Sequence, residues 1–400
     1  MNIRDSIPKI AEEMTKHRRA MHQNPQTAYE ETFASDLVSK QLNKWGVKHE
    51  RGIAVTGIVA TIKGETNTSG RAVALRADMD ALDIFEEDNK PHVSKIPGKM
   101  HGCGHDGHTA MLLGAAKYLS KNRNFDGTVY LIFQPAEEGR GGAMQMIEEG
   151  LFQLYPCDEV YGMHNWPGLK IGTFATRAGP IMASSDRFEL LVLGRGGHAA
   201  MPHLSVDPIK AGTQIVQELQ SLVKPSKTPA KSAVLTVTNF KAGTGAFNVI
   251  PETAHISGTL RTFDPKLRKT IKKGMKDLST KIAKSHGAKI QLEFDPGAYD
   301  PTVNTPKETA LCVEIGKSIF GVKNVDDDVE PCMGAEDFGA MLQEKPGCYV
   351  MIGQGEKSKS SNHSQGLHTP QYDFNDDIIP AGIEYWVRLV ETALPAAPEK

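Results

Sequence analysis

The chain has 400 residues, of which 39% are hydrophobic and 24% charged, as in an ordinary soluble globular protein with room for about two to three domains. No stretch approaches the roughly 18 consecutive apolar residues of a membrane span, and Met1 to Glu13 is charged and helical in pattern rather than a secretion signal. A formal net charge of −2 argues against a protein whose whole surface binds nucleic acid. The five cysteines, Cys103, Cys157, Cys312, Cys332 and Cys348, are odd in number and irregularly spaced, so no disulfide framework is expected and a reducing cytoplasm is the expected location.

In chain order, Ile3, Ile7, Ile10, Met14 and Met21 recur at helical spacing, and Phe33, Leu37, Leu42 and Trp45 repeat the pattern, so two helices open the chain. Short apolar runs follow at Ile53 to Ile62, Ala72 to Ala77, Thr128 to Phe133 and Glu159 to Met163, with helical stretches at Thr109 to Lys121 and Gly141 to Glu149 between them. This alternation predicts an α/β domain with a central mixed or parallel sheet flanked by helices. From Asp186 the order becomes strand (Phe188 to Leu193), helix (Asp207 to Val223), two strands (Ala233 to Phe240, Ala254 to Phe263), a Lys-rich helix within Asp264 to Lys289 and a strand at Ile290 to Phe294. That is an α+β sandwich. Its charge differs too: residues 179–290 hold 17 Lys and Arg against 7 Asp and Glu, net +10, which leaves −12 for the rest. Most of those lysines read as the solvated face of a helix whose other face carries Leu267, Ile271, Met275, Leu278 and Ile282. After Tyr299 long helices return at Thr305 to Phe320, Ala335 to Leu342 and Ile378 to Leu394, with a buried strand at Cys348 to Ile352. The expected organisation is a first domain of residues 1–180 and 295–400 with residues 181–294 inserted. Pro225 to Lys231 and Gly353 to Gln365 read as polar loops.

Polar residues gather where the first-domain strands end. Ala72 to Ala77 runs into Asp78-Met79-Asp80, Thr128 to Phe133 into Gln134-Pro135-Ala136-Glu137-Glu138, and Glu159 to Met163 into His164. The crevice beyond the carboxyl ends of strands is where open α/β sheets bind ligands, so Asp, Glu and His converging there point to a metal site. His101-Gly102-Cys103-Gly104-His105-Asp106-Gly107-His108 adds a soft thiolate and imidazoles, and Cys103 with His105 can bind one ion or bridge two. His101 and His108 read as supporting residues or as the start of a helix. Of the adjacent Glu137 and Glu138, one can coordinate metal while the other holds a water for attack. His368, in a turn before the last helix, could return to the site as a late ligand. The inserted domain contributes Gly196-Gly197-His198, then Phe247-Asn248, then Arg261, which reads equally as a buried ion-pair partner or a clamp for a carboxylate. No dinucleotide fingerprint, phosphate-binding loop or serine-nucleophile elbow is present.

Seven ordered motifs carry a resemblance: Arg18-Arg19-x-Met21-His22-x-x-Pro25, Leu75-Arg76-Ala77-Asp78-Met79-Asp80-Ala81-Leu82, Met100-His101-Gly102-Cys103-Gly104-His105-Asp106-Gly107-His108, Gln134-Pro135-Ala136-Glu137-Glu138-Gly139, Gly197-His198-x-x-x-Pro202, Met333-Gly334-x-Glu336-Asp337-Phe338 and Leu367-His368-Thr369-Pro370-x-Tyr372-Asp373-Phe374. Over nearly its whole length the chain resembles the amidohydrolase subfamily of the aminoacylase and carboxypeptidase-like dinuclear metallopeptidases, which includes hippurate and auxin-conjugate hydrolases. The resemblance implies two divalent ions, Mn²⁺ or Zn²⁺ with Ni²⁺ or Co²⁺ as further options, bridged by Cys103 and completed by His105, Glu138, His164 and His368. It makes Glu137 the general base and acid and Asp80 the group that orients a ligand. It implies that the inserted domain is a lid and dimerisation domain whose His198, Asn248 and Arg261 hold the substrate carboxylate or the oxyanion. Hydrolysis of N-acyl-L-amino acids by a homodimer or higher homo-oligomer follows.

Two positions depart from the family pattern: Gln26 follows Pro25 where Glu is usual, and Asp83 follows Leu82 where Pro is usual. Neither touches the implied ligands, so they bear on the substrate and not on the reaction class. A dipeptidase or carboxypeptidase on the same metals is the runner-up. A hydrolase with Cys103 as nucleophile and a non-catalytic binding module come after it.

Overall fold

The computed structural model describes residues 3–87, 90–223, 228, 232–295, 297–355 and 362–396. The chain forms two compact units, the first Met1–Gly179, Val303–Val329 and Asp337–Lys400, the second Pro180–Thr302 and Glu330–Glu336.

The first unit is built on an eight-stranded mixed sheet. Its four central strands, Thr128–Gln134, Ala72–Asp78, Glu159–Pro167 and Gly347–Gly355, run parallel in that spatial order. All of Ala72–Asp78 is buried, which is why it reads as a continuous apolar run rather than an alternating one. Helices Ile3–His22, His105–Lys121 and Ile379–Ala393 pack on one another, and Met14, Leu112, Leu113, Ile383 and Trp386 join the core that also holds Val73 and Leu75 of the sheet. Gly57–Lys63 and then Lys48–Ile53 extend one edge by antiparallel pairing, and Phe174–Ala175 with Val325–Asp326 extend the other.

Several boundaries differ from the sequence reading. The run at Ile53 to Ile62 is a hairpin, turned by Ala54 and Val55 at φ +50° and +73°. Its first strand, Lys48–Ile53, is polar and largely exposed and carries no apolar alternation. The helix expected from Thr109 starts at His105, inside the Cys/His motif. The strand expected to stop at Met163 continues to Pro167, because Asn165, Trp166 and Pro167 pair with Ile352, Gly353 and Gly355. Gly353–Gly355 is therefore strand and not loop, while residues 356–361 and most of Pro225 to Lys231 lie outside the described residues.

The second unit has a four-stranded antiparallel sheet in the order Ala233–Ala242, Thr253–Thr262, Asp186–Leu193, Lys289–Phe294. Alternate residues Phe188, Leu190 and Val192, with Ala254, Ile256 and Leu260, form a core with Ile215 and Leu219 of helix Pro208–Leu219 and Ile271, Met275 and Ile282 of helix Pro265–Ser285. Each helix starts with an Asp that accepts a backbone N–H, Asp207 from Ile209 at 2.9 Å and Asp264 from Lys266 at 2.8 Å, followed by Pro at the first helical position. Segment 330–336 joins this unit through Cys332, whose N–H donates to the Ile181 carbonyl at 2.9 Å. A two-stranded ribbon, Gly197–His198 against Val249–Ile250, completes it.

Candidate metal centre

The Cys/His motif takes its shape from glycines. Gly104 lies at φ +96°, and a Cβ there would sit 2.3 Å from Asn165 Oδ1. The chain turns at this residue and enters helix His105–Lys121, which leaves Cys103 just outside the helix and His105 in its first turn. A Cβ on Gly107 would lie 2.1 Å from the Phe374 ring, so the helix approaches that ring at a contact only glycine allows. Beyond strand Thr128–Gln134, Ala136 adopts φ +56°, a conformation that costs a non-glycine residue roughly 1 kcal/mol. Buried Glu31 holds it there, accepting the Ala136 N–H at 2.9 Å and the Thr56 hydroxyl at 2.6 Å. His368 is also in the left-handed region, φ +62°, and its N–H donates to the Gly102 carbonyl at 2.8 Å, tying the C-terminal loop to the cysteine turn. Strained non-glycine residues thus sit in both segments that carry the late donors.

Cys103, His105 and His164 present ligand atoms within 4.8 Å of one another, as do Cys103, Glu138 and His368, and His105, Glu137 and Glu138. Cys103 Sγ lies 3.4 Å from His164 Nε2, and His368 Nε2 lies 3.1 Å from Glu138 Oε1. The structure therefore brings together all five sequence-predicted donors and places Glu137 beside them. His105 donates through Nδ1 to Asp80 Oδ1 at 3.0 Å, so its Nε2 faces the donors, and Asp80 Oδ2 accepts the Glu138 N–H at 2.8 Å. His164 donates through Nδ1 to the Asn165 carbonyl at 2.5 Å, again freeing Nε2. His105 Nε2 is buried without a hydrogen-bond partner, an expensive orphan that an ion would satisfy. A sulfur, imidazole nitrogens and a carboxylate together suit a divalent transition metal.

The electrostatics agree. Burial, with Glu138 nearby, pushes the Cys103 thiol well above its ordinary range, so the thiolate needs a cation and not merely a neighbouring base. Burial and the adjacent His108 hold His164 well below 6.5, in the neutral form that coordinates. Burial opposes charge on His105, but Asp78, Cys103 and Asp80 outweigh it and raise that group. Burial opposes charge on Asp78 as well, yet His105, His108 and Arg76 hold it well below the usual carboxylate range.

Residues read from the sequence as supporting ones, or quoted only within a motif, complete the surroundings. Asp78 Oδ1 accepts from His108 Nδ1 at 2.6 Å, and His108 Nε2 accepts the Asn165 N–H at 3.1 Å. His101 is buried and belongs to none of the donor groups. Arg76, a charge inside an apolar strand, is the signal that marked a buried polar network there. In the second unit His198 lies in the ribbon and Asn248 in the turn just before its second strand, and both line one cavity of about 720 Å³ with Lys241 and Glu252. Arg261 is not with them. It lies eight residues past Thr253, which lines that cavity, along strand Thr253–Thr262, about 26 Å at 3.3 Å per residue, in the field of Arg187 and Asp186.

Residues 74–392 match the model of Peptidase family M20/M25/M40. The chain belongs to that family. This M20/M25/M40 member is 37% identical over 390 residues to a hippurate hydrolase of Campylobacter jejuni, covering 97% of this chain and 98% of the relative. It is 38% identical over 384 residues to thermostable carboxypeptidase 2 of Saccharolobus solfataricus, covering 95% of each. Its fold superposes with a TM-score of 0.83, at 30% identity and over 98% of this chain and 100% of the other, on the YXEP protein of Bacillus subtilis, described as a dinuclear metal binding peptidase. Family and donor set together make the chain a metal-dependent amide-bond hydrolase. All five cysteines are free thiols, and no helix among the described residues is long and apolar enough to cross a membrane.

Proposed function

We propose that the chain hydrolyses the amide bond of N-acyl-L-amino acids, releasing a carboxylic acid and a free amino acid. The observation that carries this reading is the sharing of Cys103 between two donor groups, one with His105 and His164, the other with Glu138 and His368. Cys103, His105, His164, Glu138 and His368 would hold a pair of divalent ions, Mn²⁺ or Zn²⁺ foremost and Ni²⁺ or Co²⁺ next, the Cys103 thiolate being common to both donor groups. Such ions supply Lewis-acid polarisation and a lowered water pKa. Glu137, buried beside the donors, removes a proton from the attacking water and returns it to the amine nitrogen as the C–N bond breaks. Asp80 fixes the His105 ring and the Glu138 backbone together. The raised Cys103 thiol speaks against that residue as a nucleophile.

His198, Asn248 and Arg261 take the substrate carboxylate or the oxyanion. The distance of about 26 Å along the strand keeps one copy from bringing all three to a single carboxylate, which supports a homodimer formed through the second unit. The ten-residue edge strand Ala233–Ala242, with Val234 and Phe240 exposed, is a surface on which a second copy can add. Free and mostly buried thiols support a reducing cytoplasm.

The test is amino-acid release from a panel of N-acetyl, N-benzoyl and longer N-acyl amino acids by metal-loaded protein, with and without chelator. Chelator-sensitive release is expected. Activity confined to peptides with a free N-terminal amine would replace this reading with the peptidase one, which the carboxypeptidase relative favours.

A further inference from the structure

Glu137 has a support that is separate from the metal donors. Its Oε1 accepts the backbone N–H of Asp337 at 3.4 Å, across 200 residues of sequence. Asp337 is itself immobilised, at 1% exposure, by donors that converge on its carboxylate. Arg76 Nη2 donates to Oδ1 at 3.0 Å, Gln134 Nε2 lies 2.9 Å from each oxygen, and the Ala143 N–H donates to Oδ2 at 2.9 Å. Arg76 and Gln134 are locked to each other at 2.7 Å and stand on neighbouring parallel strands, Asp78 being opposite Gln134 in the register.

We propose that Asp337 is a positioning residue for Glu137, and that Arg76 and Gln134 act on the base through it. The general base must serve two atoms in turn, the water oxygen and the departing nitrogen, so its carboxylate has to be held and aimed rather than merely present. A rigid platform of two central strands grips the Asp337 side chain, which fixes the direction of the Asp337 N–H and through it one oxygen of Glu137. A buried ion pair is weak grounds for stability, and replacing one by apolar groups is often neutral. The placement of the N–H against the base gives the Arg76–Asp337 pair a purpose that stability does not. Through Nη1, Arg76 also reaches Asp78 Oδ2 at 2.8 Å, on the His105 side, so Asp337 and not Arg76 is the discriminating position.

The inference rests on Glu137 as the base, and the experiment separates the two. In metal-loaded enzyme, Asp337→Asn should lower kcat roughly tenfold to a hundredfold, the cost of misplacing a reacting group by about an ångström, with KM and bound metal per chain unchanged. In a Glu137→Gln background the same change should remove nothing further from the residual turnover, because both act through one carboxylate. Arg76→Lys should retain more kcat than Arg76→Met. Should Asp337→Asn fail to fold, Gln134→Ala, which leaves the Arg76–Asp337 pair in place, carries the test by the same split of kcat against KM. An unchanged kcat, a loss that tracks missing metal, or an equal fold-loss in the Glu137→Gln background overturns the proposal. Near-normal turnover in Glu137→Gln ends the reading of Glu137 itself, whereas an inactive Glu137→Gln beside a fully active Asp337→Asn ends only the positioning role.

Discussion

The two polar regions of the chain are built on opposite terms. In the first unit Asp78, Asp80, His105, His108, His164 and Glu137 are buried, and hydrogen bonds to strands and to each other fix their orientation. In the second unit His198, on a two-stranded ribbon, and Asn248, in the turn before its second strand, stand exposed next to a fully exposed Phe247. Proton transfer and metal binding need atoms held to fractions of an ångström, and a dry, over-determined setting provides that. Side chains that stay wet and adjustable suit contacts that must vary instead. The contrast teaches that one chain can keep an over-determined polar cluster and an exposed, adjustable one in separate units.

Substitutions in the first region should therefore damage chemistry, metal binding or fold according to the group removed, and those in the second should lower turnover while metal and fold stay intact. The largest effect is expected from Glu137→Gln, a loss of about 10³-fold in kcat with metal content preserved, read by steady-state rates beside metal analysis. Asp80→Ala should weaken metal binding by roughly 10- to 100-fold, since it takes the carboxylate from His105 Nδ1 and leaves it only the Asp80 carbonyl, also at 3.0 Å; competition with a chromophoric chelator measures it. His198→Ala should cost roughly tenfold to a hundredfold in kcat/KM, the worth of a hydrogen bond to a charged group, while the unfolding free energy moves by less than about 0.5 kcal/mol. A large fall in thermal stability for that variant would erase the contrast. Gly107→Ala forces a methyl into the Phe374 ring and should destabilise by about 1–3 kcal/mol in denaturant titration.

The smallest effect concerns pH. Burial raises the Glu31 carboxyl above the usual 4.5. Between 4.5 and the raised value the folded chain holds the proton more often than the unfolded chain, so this group makes stability fall as pH rises through that window. Glu31→Gln should flatten that slope. Denaturant midpoints that keep the wild-type slope would show that another group sets it.

Much of this was legible in the sequence because the chemistry crowds rare residue types into short runs. Cys103, His105, Glu137 and Glu138 stand out in any reading of their segments, and the apolar strands leading to them were plain. What escaped was carried by non-local contacts or by the absence of a pattern. His164 lies within its strand and not at its end, because the pairing of Asn165 to Pro167 with Gly347–Gly355 is invisible until that late strand is placed. Segment 330–336 joins the second unit through backbone bonds to Ile181 and Ala183, and nothing in its composition marks that. Asp337 and Arg76 were quoted only as motif letters, since the bonds uniting them span 261 residues. The approach of Gly107 to Phe374 depends on a loop far along the chain in the same way.

The polar edge strand Lys48–Ile53 has a consequence for aggregation. Its exposed Lys48, Glu50 and Arg51 confront any incoming strand with charge, and the opposite edge of the same sheet ends in the two-residue Val325–Asp326, too short to template one. The sheet that bears the metal donors is thereby protected at both margins against edge-to-edge polymerisation. Exchanging those charges for β-branched apolar residues would leave the donors untouched and open that edge to pairing with other chains.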